Sequence, residues 1–149
     1  SKVIEKNKNV KLMLVGDGLM RNNIEEKIKK RKLNTQVVLC GMQENASRFL
    51  SAMDIVVFPS LWEGLPLSLL EAQANGLPCV ASDVITSEVN RGGVQQISLS
   101  EDASVWADVI LKVVTIAREA RSELYKKEMR SKGFDIRTNA SKLEQIYMS

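Results

Sequence analysis

Short apolar runs alternate with segments of helical spacing along most of the chain. The apolar runs are rich in Val, Ile and Leu and end at Gly, Pro or Ser, which is typical of buried parallel strands. They predict strands at 10–15, 37–40, 54–58 and 78–81, and a weaker strand at 94–97 that we expect at an edge. The intervening segments predict helices at 19–32, 44–53 and 66–75. This alternation predicts an α/β fold class: a doubly wound, Rossmann-like parallel sheet with helices on both faces.

The last third of the chain is predicted to be a helical tail over 101–149. Asp102 can cap a first helix, a second is expected from about 117 to 131, and Asp135 can cap a third. No internal repeat or linker divides the sequence, so we expect residues 1–149 to belong to a single domain.

The composition removes several classes of enzyme. The sequence has 149 residues and no histidine, so Ser-His-Asp and Cys-His catalysis and His-ligated metals are excluded. Cys40 and Cys79 are too few for a four-thiolate zinc site and are predicted to be buried free thiols in a reducing cytoplasm. No apolar run approaches the roughly 18 residues of a spanning helix, and the first residues lack a signal peptide. We expect a cytoplasmic protein without a transmembrane segment.

Charge is segregated along the chain. Residues 1–32 have a formal net charge of +6, residues 33–100 of −4 and residues 101–149 of +1. The basic run from Lys27 to Lys32 has no interleaved aromatic residues and ends a predicted helix, where cations complement the helix dipole. We therefore expect a solvated face there rather than a nucleic-acid site, and we place the functional centre in the middle stretch.

The loop and helix after the third predicted strand carry the candidate chemistry. Ligands of doubly wound sheets bind outside the carboxyl ends of strands, and this end delivers Glu63, Gly64 and an apolar helix start. Unsatisfied N–H groups at a helix start form an anion site that suits a diphosphate. Glu71 lies about one and a half turns into that helix, where its carboxylate can accept both hydroxyl protons of a vicinal diol.

This arrangement favours a nucleoside diphosphate with its ribose on Glu71 and a further hydroxylated group on Glu63. The simpler alternatives are an exposed helix residue for Glu71 and a loop charge near the helix start for Glu63. The two glutamates have no His, Cys or Asp neighbours in sequence, so we expect no metal site. Trp62, beside Glu63, is expected to be a packing residue.

The stretch from Pro59 to Ser82 resembles the donor-binding signature of retaining GT-B glycosyltransferases of the group 1 type. Two segments carry most of the likeness, PSLWEGLP at 59–66 and EAQANGLPCVAS at 71–82. The run LVGDG at 14–18, the strand that ends at Gly41 and Asp54 at the start of the third strand are also similar. The segment ITSEV at 85–89 resembles the branch that acts in exopolysaccharide and capsule synthesis. The resemblance covers about residues 10–98.

The resemblance implies a role for each matched position. The catalytic residue would be Glu63, which contacts the hydroxyls of the donor sugar and supports charge at the reacting carbon, while Glu71 would hold the ribose. The remaining donor-binding positions would be Gly64, Leu65, Pro66 and Leu67 around the diphosphate, Met42 next to the nucleobase, and Gly16, which leaves room for the donor.

The implied reaction is the transfer of a sugar from a nucleotide diphosphate sugar, by preference a UDP-sugar, with retention at the anomeric carbon and without a metal or other cofactor. The acceptor would be a glycan or a lipid-linked sugar held by a separate N-terminal domain. That domain could also place the protein at the inner face of the cell membrane. The alternative function is a non-catalytic nucleotide- or partner-binding α/β module.

Two features of the resembling family have no counterpart in this sequence. Members have a further first strand followed by a loop bearing Arg and Lys, and an acceptor domain precedes both, so we expect a partial domain that is inactive alone. In the doubly wound order the first strand is central, so strands 10–15 and 54–58 would flank a gap. We expect the gap to close by re-pairing, to recruit a strand from a second copy in a homo-oligomer, or to leave the chain marginally stable.

Overall fold

A computed structural model describes residues 1–114 and 118–148. The strands in this part of the chain are β1 Leu12–Val15, β2 Val37–Gly41, β3 Val56–Phe58, β4 Cys79–Ser82 and β5 Val94–Ile97. The helices are α1 Lys2–Lys6, α2 Arg21–Lys30, α3 Ser47–Leu50, α4 Leu67–Ala74, α5 Ala103–Val113, α6 Arg118–Ser131 and α7 Ile136–Met148, with a 3-10 turn at Ser87–Val89. Position 117, where the second tail helix was expected to begin, lies outside the described residues.

The five strands described form two sheets, and every strand pair within them is parallel. β1 pairs with β2, placing Leu12 opposite Val37, while β4 lies between β3 and β5. The α/β class with parallel sheets and helices on both sides is therefore confirmed, and each predicted strand is present with its ends shifted by at most two residues. β5 lies at an edge, as its weaker apolar pattern predicts.

The two strands expected to flank a gap, β1 and β3, do not pair with each other in the described part of the chain. Re-pairing therefore does not close the gap. The two sheets also differ in burial, because no residue of β1 or β2 is fully buried whereas all four residues of β4 are. A sheet of two strands is only marginally stable by itself, so most of the stability lies on the β4 side of the gap.

The hydrophobic core packs helix α4 against the central strand β4. Since β4 has a strand on each side and is covered on its faces, it needs a continuous apolar sequence, which the run from Cys79 to Ala81 provides. The buried members of the cluster are Leu50, Leu69, Leu70, Ala72, Leu77, Cys79, Ala81, Ile85 and Val89. Helix α4, which carries one of the two candidate glutamates, is thus held by the best packed part of the molecule.

Helix α4 begins one residue later and ends one residue earlier than predicted. Pro66 has an extended backbone, with φ −74° and ψ 97°, so it is the N-cap and Leu67 is the first helical residue. The fixed φ of proline is compatible with either position, and the sequence alone does not distinguish them. At the other end Gly76 takes the left-handed φ of +77° that stops a helix.

Two aspartates cap the tail helices, as predicted. The Asp102 carboxylate accepts the Ser104 N–H at 2.7 Å, and the Asp135 carboxylate accepts the Thr138 N–H at 3.0 Å. Hydrogen bonds from Ser104 lower the pKa of Asp102, and the Thr138 N–H lowers that of Asp135. The short helix α1, which packs against α5, was not predicted. No helix in residues 1–114 or 118–148 is long and apolar enough to cross a membrane.

Candidate functional site

The carboxyl ends of β1 and β2 bring Gly16 and Met42 close to each other. The Gly16 N–H donates to the carbonyl oxygen of Gly41 at 2.8 Å, and Met42 follows directly with 76% of its surface exposed. Gly16 has a φ of +132°, which favours glycine, and a Cβ at this position would meet no atom within 4 Å. This end of the sheet is therefore an open turn beside an exposed side chain.

Arg21 lies near the same turn, and the sequence analysis did not single it out. Its guanidinium donates to the carboxylates of Asp17 at 2.7 Å and Glu25 at 3.0 Å. The hydrogen bond from the Gly18 N–H lowers the pKa of Asp17, and Arg21 lowers it further by a smaller amount. Because two carboxylates already balance its charge, Arg21 is poorly suited to neutralise a bound diphosphate. The sequence does contain a signal for these ion pairs, because an acidic residue lies four positions before Arg21 and another lies four positions after it.

The loop after β3 holds the exposed carboxylate of Glu63 through two serines. The Ser60 hydroxyl donates to Glu63 Oε1 at 3.1 Å, and the Ser82 hydroxyl at the end of β4 donates to the Ser60 carbonyl oxygen at 2.5 Å. Neither serine was identified from the sequence. The only signal there was that Ser60 comes shortly after one apolar strand and that Ser82 ends another. The position of Glu63 is therefore linked through Ser60 to the end of the central strand.

The expectation that Trp62 packs against the protein is wrong. The side chain is 85% exposed, and neighbouring Leu61 is also exposed. The physical reason is that the loop projects beyond the short strand β3, where apolar residues find no neighbouring element to cover them. The indole ring is thus accessible to a ligand beside Glu63.

The start of helix α4 has the features of an anion site. Pro66 is the N-cap and has no side-chain acceptor, and no side chain caps this helix among the residues described. The N–H groups of Leu67 and Ser68 precede the first intrahelical donor and so lack an acceptor within the helix. Leu67 is itself exposed, so these N–H groups lie at an accessible helix end. Gly64 and Leu65 precede this end directly and are also exposed.

Glu71 is exposed on α4 and lines an open cleft of about 490 Å³. The other lining residues come from α3, from α4 and its C-cap, and from α6, and are Ser47, Leu50, Ala74, Asn75, Ser122 and Lys126. The cleft contains neither Glu63 nor Gly64, so the two candidate glutamates lie on one loop and helix but not in one cavity. Within the described ranges, no group of three His, Cys, Asp or Glu side chains could hold a metal ion.

Buried Gln73 fixes helix α4 to the segment before β5, a feature that the sequence analysis missed. Its side-chain N–H groups donate to the carbonyl oxygens of Leu69 at 3.0 Å and Val89 at 2.9 Å. Its oxygen accepts the N–H groups of Arg91 at 2.8 Å and Gly93 at 3.4 Å. A polar residue within the apolar run of α4 was the available signal. The orientation of the helix that bears Glu71 is thereby set from its buried side.

Comparison with known proteins identifies the family. The family model described as glycosyl transferases group 1 matches residues 1–115. The chain belongs to this family. Among its relatives, the glycosyltransferase EpsF of Bacillus subtilis (strain 168) is 40% identical over 138 residues, which are 91% of this chain and 36% of EpsF. This chain therefore spans about a third of the length of that group 1 relative.

Other similar proteins are also glycosyltransferases. An Escherichia coli protein named UDP-Gal:alpha-D-GlcNAc-diphosphoundecaprenol alpha-1,3-galactosyltransferase is 40% identical over 73 residues, 48% of this chain and 19% of that protein. The crystal structure of a TarM variant from S. aureus, in complex with Fondaparinux, alpha-GlcNAc-glycerol and UDP, superposes with a TM-score of 0.78 at 23% identity. It covers 99% of this chain and 31% of the TarM chain, and at this identity it supports the fold alone.

Proposed function

We propose that this chain is the donor-binding part of a glycosyltransferase that transfers a sugar from a nucleotide diphosphate sugar to an acceptor. The observation that carries the proposal is the uncapped start of α4, with Glu63 in the loop before it and Glu71 on the helix after it. An anion site that is flanked in sequence by two exposed carboxylates suits a ligand in which hydroxylated groups lie on both sides of a diphosphate.

In this proposal each part of the donor has its own partner. The diphosphate oxygens accept hydrogen bonds from the N–H groups at the start of α4. The turn that leads into this helix consists of Gly64, Leu65, Pro66 and Leu67. Glu71 accepts the ribose hydroxyls, and Glu63 accepts hydroxyls of the sugar and stabilises positive charge at the anomeric carbon. Met42 lies next to the base, and the open turn at Gly16 admits the donor. No step requires a metal ion or other cofactor.

The reaction proceeds with retention at the anomeric carbon. The bond from that carbon to the diphosphate oxygen breaks, and a bond to the acceptor oxygen forms. The acceptor hydroxyl proton passes to the departing diphosphate. The UDP in the TarM structure and the UDP-Gal in the name of the Escherichia coli relative support a UDP-sugar as donor.

The acceptor is a glycan or lipid-linked sugar of exopolysaccharide or capsule synthesis, and a further domain of the complete protein holds it. The diphosphoundecaprenol in the name of the Escherichia coli relative supports a lipid-linked acceptor. We place the complete protein in the cytoplasm, at the inner face of the membrane where such an acceptor would be reached. The short share of EpsF that the chain spans supports the need for the further domain.

Calorimetric titration of the complete protein with UDP, GDP and ADP tests the donor site. We expect UDP to bind preferentially, and Glu71→Gln to weaken UDP binding by roughly 10- to 100-fold, because a hydrogen bond to a charged group contributes about 1.5–3 kcal/mol. The matched control is Glu101→Gln, an exposed glutamate in the turn before α5, which should leave binding unchanged. Equal affinity of wild-type protein and Glu71→Gln would contradict the ribose role.

Glu63→Gln separates the transferase from a non-catalytic nucleotide-binding module. UDP lacks the transferred sugar that Glu63 would contact, so this variant should bind UDP like wild-type protein while sugar transfer falls by at least about 100-fold, as expected when charge stabilisation in a transition state is lost. Transfer at the wild-type rate would contradict the catalytic role of Glu63, whereas UDP binding without any transfer by the wild-type protein would favour the non-catalytic alternative.

A further inference from the structure

We propose that Ser60 and Ser82 are positioning residues that fix the carboxylate of Glu63 for the donor sugar. This inference rests on the proposed function, because it concerns the orientation of the group that meets the sugar. Neither serine is placed in contact with substrate.

The first observation is the link between the loop and the central strand. β3 and β4 pair in parallel up to Phe58 opposite Ala81. The ladder ends at this pair, two residues before Ser60. Beyond that point the hydroxyl of fully buried Ser82 donates to the Ser60 carbonyl oxygen at 2.5 Å, which ties the loop to the end of β4. The loop therefore leaves the sheet from a fixed point.

The second observation is the link from that point to the carboxylate. The Ser60 hydroxyl donates to Glu63 Oε1 at 3.1 Å, across three positions of the loop. A glutamate has three rotatable side-chain bonds, and an exposed one has many rotamers of similar energy. The hydrogen bond favours the rotamers in which Oε1 faces Ser60. The other oxygen, Oε2, has no hydrogen-bond partner in the part of the chain described and remains available to a sugar hydroxyl.

Together the two hydrogen bonds connect the end of β4 to Glu63 through the carbonyl oxygen and the hydroxyl of Ser60. Pre-organisation of this kind acts on the transition state, because the carboxylate needs no reorientation when positive charge develops at the anomeric carbon. Its loss should lower kcat while leaving the binding of UDP, which lacks the transferred sugar, unchanged.

The test compares Ser60→Ala with Ser60→Thr in the complete protein, by donor-sugar transfer kinetics and UDP calorimetry. We expect Ser60→Ala to lower kcat by roughly 10-fold with UDP affinity unchanged, and Ser60→Thr, which keeps the hydroxyl, to restore most of the rate. Ser82→Ala should lower kcat in the same direction. If that variant fails to fold, the Ser60 pair still decides the question.

A double-mutant cycle separates positioning from a general structural role. In the Glu63→Gln background Ser60→Ala should lower the residual rate by less than 2-fold, because the charged group that it orients is gone. An undiminished 10-fold loss in that background, or a wild-type kcat for Ser60→Ala in an active enzyme, overturns the inference alone. A wild-type protein that neither binds UDP nor transfers sugar overturns the proposed function, and this inference with it.

Discussion

The side-chain oxygen of Gln73 lies 2.8 Å from the backbone nitrogen of Arg91, and this contact ties helix α4 to the segment that leads into β5. The amide also bonds to three other backbone groups, so both of its donors and its acceptor are used. A buried amide that is fully satisfied favours one arrangement of the elements around it, since any other arrangement leaves a buried polar group unpaired. The position of α4 relative to residues 89–93, which lead into β5, therefore depends on this residue.

Gln73→Met should destabilise the fold by about 2–4 kcal/mol. Methionine preserves most of the volume but leaves the Val89 carbonyl and the Arg91 and Gly93 N–H groups without their partner, and each unsatisfied buried group costs about 1–3 kcal/mol. Urea unfolding followed by circular dichroism measures the change. Gln95→Met on β5 is the matched control, because that side chain is exposed, and it should stay within about 0.5 kcal/mol of wild type. Equal stability of the two variants would contradict a role for the Gln73 network.

Two glycines with nearly the same positive φ allow strain and packing to be separated. Gly76 and Gly133 have φ values of +77° and +81°. A Cβ at Gly76 would lie 2.7 Å from Ser122 Cβ and 2.9 Å from its Cα, whereas a Cβ at Gly133 would meet nothing within 4 Å. Only the first site is closed by a neighbouring helix.

Gly133→Ala should therefore cost about 1 kcal/mol, from the left-handed backbone alone. Gly76→Ala should cost a further 1–3 kcal/mol or so, because the Cα of Ser122 belongs to the backbone of α6 and cannot rotate away. Thermal unfolding of the two variants under identical conditions gives the comparison. Equal destabilisation would show that α6 does not pack against Gly76 as closely as described.

The elements that the sequence predicts best are those whose signal is local. The apolar run from Cys79 to Ala81 is continuous because β4 has neighbours on both sides, and Gly76 marks the end of α4 because only a residue tolerant of positive φ fits there. The bounds of α4 were less certain, since Pro66 suits both the cap and the first helical position. Short-range chemistry determines such features, so they can be predicted without tertiary information.

The features that escaped prediction depend on residues distant in sequence. Gln73 bonds to groups 16 to 20 positions away, and the Ser82 hydroxyl reaches a carbonyl 22 positions away, so neither role is visible in a local pattern. The prediction for Trp62 was wrong for a different reason. Its large apolar side chain suggested burial, and only the three-dimensional structure shows that this side chain is exposed. The roles of Glu63 and Glu71 remain predictions from spacing and resemblance.

Cys79 should make the stability of the fold decrease at alkaline pH. Burial raises the pKa of its thiol from the ordinary value of 9.0 to about 12. Between these values the unfolded chain releases the thiol proton and the folded chain keeps it, so stability is unaffected below about pH 9 and falls as the pH rises towards 12.

The expected loss between pH 8 and pH 10 is about 1–2 kcal/mol from this thiol. Urea unfolding at pH 8 and at pH 10 measures this loss of stability. In the Cys79→Ala variant the thiol contribution to the loss should be absent. In a Cys40→Ala variant, where Cys79 is the remaining thiol, iodoacetamide should label the protein only in urea. Rapid labelling of the folded variant would contradict the burial on which the pH dependence rests.

The unequal burial of the two sheets predicts unequal amide exchange. The amides of β4 lie in a three-stranded sheet within the core, whereas β1 and β2 form a two-stranded sheet without a fully buried residue. Local opening of β1 and β2 should therefore require less free energy, and their amides should exchange with deuterium at least about 10-fold faster than those of β4. Uniform protection across the five strands would contradict this difference.

The same measurement tests the gap between β1 and β3. If the doubly wound order holds, a further strand lies between them in the complete protein, and its pairing would protect the amides of both edges. Exchange at Met13 and Val57 should then be slower in the complete protein than in this chain, while exchange at Val80, which is already paired on both sides, should change little. Protection of β1 and β3 that rises with the concentration of this chain would instead indicate a strand supplied by a second copy. Unchanged exchange under both conditions would mean that the gap is a stable feature of the fold.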